Sequence, residues 1–137
     1  MDIYTLTWKY FTAFEAKDLG ALTETYDEQV LLKDWDIECH GAEKVLAANE
    51  SLFTSVENIK VDITRCSVDN MLQTATAEIV INIDGEEILV ADVITFNNEG
   101  KINQTPQNNT YGGGPIEFFD LLAKWRAKGD LKGLEVR

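Results

Sequence analysis

Three side chains are of a type and placement to move protons. Asp92 stands in the run Ile88-Leu89-Val90-Ala91-Asp92-Val93-Ile94-Thr95-Phe96. In a strand it shares a face with Ile88, Val90, Ile94 and Phe96. A charged, unpaired carboxyl on such a face costs several kcal/mol. Desolvation therefore pushes it toward the neutral, hydrogen-bond-donating acid. Two plainer readings stand beside this one. The strand could turn Leu89, Ala91 and Val93 inward and leave Asp92 in water, or Asp92 could pair with a base such as Arg65.

Asp34 ends Val30-Leu31-Leu32-Lys33-Asp34-Trp35 and shares strand parity with Val30 and Leu32. A carboxylate carried to a pocket mouth is a general-base candidate. The alternative is a solvated turn acid beside Asp36 and Glu38. Tyr10 lies next to Phe11 and Phe14 on a helical aromatic stripe. It is either a core aromatic with its hydroxyl at the edge or a phenol aimed into a pocket.

Other chemistries find little support. The 137 residues hold one histidine, His40, and two cysteines, Cys39 and Cys66. That leaves no histidine-rich metal site, no disulfide framework and no expected cofactor. Gly112-Gly113-Gly114 lacks the lysine of a phosphate loop and reads as a hinge. Twelve bases face 24 acids, a net charge of −12. Residues 1–114 hold seven of the bases and twenty of the acids. Such a surface repels nucleic acid and anionic lipid. No apolar run approaches the ~18 residues of a membrane span. The start, Met1-Asp2-Ile3-Tyr4, does not read as a secretory signal, so the expected location is cytoplasmic.

The elements that must position these residues follow from periodicity. Residues 4–18 read as a helix, with Tyr4, Thr7, Trp8, Phe11, Phe14 and Glu15 along one stripe. Asp18 caps a short helix from Leu19 to Tyr26, and Gln29–Trp35 is strand-like. Gly41 opens a third helix from Ala42 to about Ser55, with Val45, Ala48, Leu52 and Val56 on one side. The period then becomes two through Ile59–Ile63, Thr74–Ile83 and Ile88–Phe96, with a hairpin signal at Asp84-Gly85. A polar fourth strand starts at Lys101, and a helix with Phe118, Leu121, Leu122 and Trp125 follows Pro115. Helices followed by a meander predict an α+β domain over residues 1–111: a cone-shaped, curved antiparallel sheet with three helices on its concave face. Residues 112–137 would add a hinge and an extra C-terminal helix. The strand alternation leaves Val80, Leu89, Ala91 and Val93 on the open sheet face, which predicts a homodimer.

Three segments resemble the nuclear transport factor two-like superfamily, in its ketosteroid isomerase and SnoaL-like branch. They are Lys9-Tyr10-Phe11 with Asp18-Leu19-Gly20-Ala21-Leu22, Val30–Trp35 with His40-Gly41-Ala42, and Asp92-Val93-Ile94-Thr95-Phe96 with Gly100-Lys101-Ile102. The resemblance covers about residues 3–105. It implies that Tyr10 matches the family's oxyanion tyrosine, Asp34 its base and Asp92 its protonated acid. Phe14, Trp35, Val90 and Ile94 are then the expected pocket lining. Trp35 stands where the family commonly has proline. The expected function is moving a proton α to a carbonyl of a small apolar ligand, as in isomerases, cyclases or dehydratases. The alternatives are a non-catalytic small-molecule-binding homodimer and an interaction domain with a filled core.

Overall fold

The computed structural model describes residues 2–33 and 38–105. In chain order the elements are α1 (Ile3–Glu15), α2 (Leu19–Thr25), β1 (Tyr26–Lys33), β2 (Glu38–His40), α3 (Ala42–Ser55), β3 (Ile59–Asp69), β4 (Thr74–Ile83), β5 (Glu86–Phe96) and β6 (Ile102–Thr105). The fold is α+β, with three helices and one curved, unclosed sheet. The hinge and helix expected beyond residue 111 lie outside the described residues.

Local chemistry sets the helix boundaries. Asp2 caps α1 by accepting from the Thr5 amide, and Asp18 caps α2 by accepting from the Ala21 amide at 3.0 Å. Gly41 opens α3 at φ +95°, a conformation that disfavours any side chain, and its N–H donates to the Val30 carbonyl at 2.7 Å. Lys17 reaches from the α1–α2 link to the end of α3. Its ammonium donates to the carbonyls of Phe53, Val56 and Glu57. The Phe53 carbonyl is one that a helix end leaves without an intrahelical partner, and those of Val56 and Glu57 follow the helix directly.

The strands form one sheet in the order β2-β1-β6-β5-β4-β3. From β3 to β6 it is the antiparallel meander that the period-two pattern predicts. Asp84 and Gly85 take φ of +51° and +90° at the β4–β5 turn, as a tight hairpin of that type requires. The sheet as a whole is mixed rather than wholly antiparallel. β1 runs parallel to β6 and antiparallel to β2, because the meander brings the last described strand back beside the first. At the β5–β6 register shift, the Asn103 Oδ1 is buried without a hydrogen-bond partner among the described residues.

The ladders settle which face is which. Ala75 pairs with Ile94, Ala77 with Asp92, Ile79 with Val90 and Ile81 with Ile88. Ala75, Ala77 and Ile79 are sealed, and Ile94 nearly so, which makes this the covered face. Asp92 therefore points inward, as its parity with Ile94 predicts. Arg65 lies on the opposite face, 3.5 Å from Glu78, and both are largely exposed. α1 packs across β3 and β4, and α3 against β1 and β2. Leu22, Val30, Val45, Phe53, Phe96 and Ile102 fill the space between helices and sheet. Each such side chain contributes about 1.5–3 kcal/mol by leaving water.

Two helix faces differ from the periodic reading. In α1 the buried residues are Ile3, Thr7, Phe11 and Ala13, while Tyr4 and Trp8 stack against each other on the outside, their rings 6.3 Å apart. In α3 the buried residues are Val45, Asn49 and Phe53. An i, i+4, i+8 line carries the buried face of both helices, with Ala13 added to it in α1.

Candidate active site

α1 delivers Tyr10 to the inner end of the helix–sheet layer. Its ring lies 5.0 Å from Phe11, 6.3 Å from Phe14 and 6.2 Å edge-on from Tyr26. Phe14 in turn meets Phe53 edge-on at 5.2 Å, which clamps α1 against α3. These aromatic contacts hold the Tyr10 ring in one orientation.

Tyr26 begins β1 and is buried. Its hydroxyl oxygen accepts the Asn49 Nδ2–H at 2.7 Å. The Tyr10 side chain lies against Tyr26 from the other side of the site. Tyr10, Tyr26, Val30, Leu31, Leu32, Val45, Ile94 and Ile102 line a cavity of about 20 Å³, large enough for a water molecule. Its walls are apolar apart from the two phenols.

Asp92 approaches this cluster from β5. It is half-buried, and its charge acts on both phenols. Burial first, then the neighbouring Tyr26 and Asp92 charges, and the contact with Tyr26, hold the Tyr10 pKa well above the ordinary tyrosine value. Burial also raises Tyr26. The donors from Asn49 and Tyr10 pull it back, and Asp92 pushes it up again. Both phenols therefore stay protonated across the neutral range, the state in which a tyrosine serves as a hydrogen-bond donor.

The structure thus brings Tyr10 and Asp92 into electrostatic reach of each other, with Ile94 lining the cavity beside them. Phe14 packs on Tyr10, and Val90, two residues from Asp92, is partly buried against the core. Asp34 and Trp35 lie outside the described residues. Tyr26 and Asn49 escaped the sequence reading. Tyr26 reads there as the end of a helix. Asn49 carries a recognisable signal in hindsight: a polar side chain midway between Val45 and Phe53 on a buried stripe has a partner to find. Among the described residues no group of His, Cys, Asp and Glu side chains is placed to hold a metal ion. None of the described helices is long and apolar enough to cross a membrane.

This fold, with an inward acid on the long strand and a phenol on the first helix, defines a class. Residues 9–105 match the SnoaL-like domain, and the chain belongs to that family. Solved structures of the same fold include an epoxide hydrolase of M. tuberculosis, at TM-score 0.64 and 13% identity, covering 75% of this chain and 74% of that one. A candidate ketosteroid isomerase from Kribbella flavida matches at TM-score 0.65 and 14% identity, covering 78% and 79%. At such identities the likeness is one of fold. A stretch of 43 residues is 51% identical to pentalenolactone D synthase of Streptomyces exfoliatus, covering 31% of this chain. It spans only 7% of that protein's length.

Proposed function

We propose that the chain is an enzyme that moves a proton next to a carbonyl group of a small apolar ligand. The observation that carries this reading is the pair Tyr10 and Tyr26 lining one small apolar cavity, with Asp92 in electrostatic reach of both, in a SnoaL-like fold. In the proposed reaction Asp34 takes the α-proton as general base. The C–H electron pair moves into the carbon skeleton and the carbonyl oxygen becomes an enolate oxygen. Tyr10 and a protonated Asp92 donate hydrogen bonds to that oxygen, and the proton returns to a different carbon. Preorganised donors in a dry site favour the charge that develops there. An apolar wall of Val30, Val45, Ile94 and Ile102 suits a hydrocarbon ring better than a charged metabolite. The synthase match supports an oxygenated small molecule, a lactone by that protein's name.

The same fold would serve a second, non-catalytic reading, a homodimer that only holds such a ligand. The outer sheet face favours the dimer in either case. Leu89 is 45% exposed there, and Val80 and Val93 are partly exposed. Exchange of α-protons on a cyclic enone, compared between wild type and Asp34→Asn, separates the enzyme from the binder.

A further inference from the structure

β3 ends the sheet order, so among the described residues no strand pairs with its outer side. Its Val61 N–H points to that side and donates to the Glu15 carboxylate at 2.7 Å. The bond shows that the end of α1 overhangs the edge. Trp8 and Tyr4 stand seven and eleven residues before Glu15, spacings that return to the same line of a helix. They are the stacked aromatic pair, 41% and 49% exposed. The first turns of α1 reach the Asn98–Gly100 turn, at the end of the sheet where β3 finishes. α1 thus runs antiparallel to β3. A groove follows the free edge, with Glu15 near the start of β3, then Trp8, then Tyr4. Its apolar floor is incomplete. Val61, Ile63, Cys66 and Val68 touch the core yet stay partly exposed, whereas Ala75, Ala77 and Ile79 on the next strand are sealed. Such an edge is a template for one more strand.

The sequence holds a segment of matching pattern. In Leu131-Lys132-Gly133-Leu134-Glu135-Val136-Arg137, an extended backbone puts Lys132, Leu134 and Val136 on one face. Laid parallel to β3, that face meets Glu15, Trp8 and Tyr4 in order: a cation on a carboxylate, then two apolar side chains on two rings. An incoming carbonyl accepts the Val61 N–H and frees Glu15 for Lys132. Charge favours the approach, since residues 115–137 carry five bases and four acids against seven and twenty in residues 1–114. Length permits it. Residues 106–130 reach up to about 80 Å when extended, and β6 and β3 lie three strand spacings apart, about 14 Å. We propose that residues 131–137 dock in this groove as a seventh strand parallel to β3, with Lys132 paired to Glu15.

Amide hydrogen exchange tests this in the full chain. The reporter is Ile63, whose N–H faces the same edge as that of Val61. Ile79 on β4 reports that a variant remains folded. Ending the chain at Asp130 should speed exchange at Ile63 by more than about tenfold and leave Ile79 unchanged. A peptide of residues 131–137 added to the shortened chain should restore the protection. Leu134→Pro in the full chain, which removes a strand N–H, should release Ile63 as the truncation does. Lys132→Glu should also release it, and adding Glu15→Lys to Lys132→Glu should bring the protection back. Exchange at Ile63 that ignores both the truncation and Leu134→Pro overturns the proposal. A charge exchange that restores nothing overturns the pairing of Lys132 with Glu15. Protection that survives truncation and grows with protein concentration puts a second copy on the edge and overturns it too.

Discussion

Asp92 stands directly across the β4–β5 ladder from Ala77, a residue with no exposed surface. The small neighbour leaves the carboxyl room on the covered face of the sheet. With Ala75 one step along the same face, it also lets the helix layer approach closely. A larger residue at 77 would have to displace packed atoms. Ala77→Val should cost about 1–3 kcal/mol in urea unfolding. A neutral effect would contradict the inward face and with it the placement of Asp92.

The Asn49–Tyr26 bond joins the middle of α3 to the first residue of β1. Asn49→Ala leaves a buried phenol oxygen short of a donor, and the expected loss is about 1–3 kcal/mol. A double-mutant cycle with Tyr26→Phe should show a coupling of about 1 kcal/mol, because each single change breaks the same bond. Strictly additive losses would show that the two residues act separately.

Lys17 holds the end of α3 through three backbone carbonyls. Lys17→Met keeps the aliphatic stem and removes all three bonds. Its expected cost is about 1–3 kcal/mol. Hydrogen exchange should rise in the last turn of α3 before it rises in β4. Uniform exchange across both would argue against a local clamp.

Stability should fall at alkaline pH. The folded protein holds Tyr10 and Tyr26 above the ordinary value of 10.0. Above pH ~10 the unfolded chain releases these protons while the folded chain keeps them, so unfolding gains from each rise in pH. The contribution is whole below pH ~10 and is lost as pH climbs through the folded pKa values. Urea midpoints of wild type should therefore drop between pH 9 and 11 more than those of Tyr10→Phe. Equal drops would show that Tyr10 is not held in its neutral form.

The sequence offered the inward face of Asp92 as one of two strand registers, and the sealed Ala75, Ala77 and Ile79 across the ladder decide between them. It made the helix order and the Asp84-Gly85 turn legible through caps and dipeptide chemistry. It did not reveal that β1 runs parallel to β6, since strand order across a crossover leaves no periodic trace. Nor did it reveal the partner of Tyr10. Tyr26 sits where a helix ends and a strand begins, so neither period marks its inward direction. Its contact with Asn49 joins positions 23 apart in the chain. Such pairs come from packing, which single-residue patterns do not encode.

The central claim is proton transfer at a carbon next to a carbonyl, and deuterium exchange into a cyclic enone measures it directly by mass spectrometry. Wild type should exchange the α-protons well above the buffer rate. Asp34→Asn should fall to the buffer rate, having lost its base. Asp92→Asn keeps a hydrogen-bond donor and should retain more exchange than Asp92→Leu. Equal exchange in wild type and Asp34→Asn would contradict the account and leave a protein that binds its ligand without turning it over.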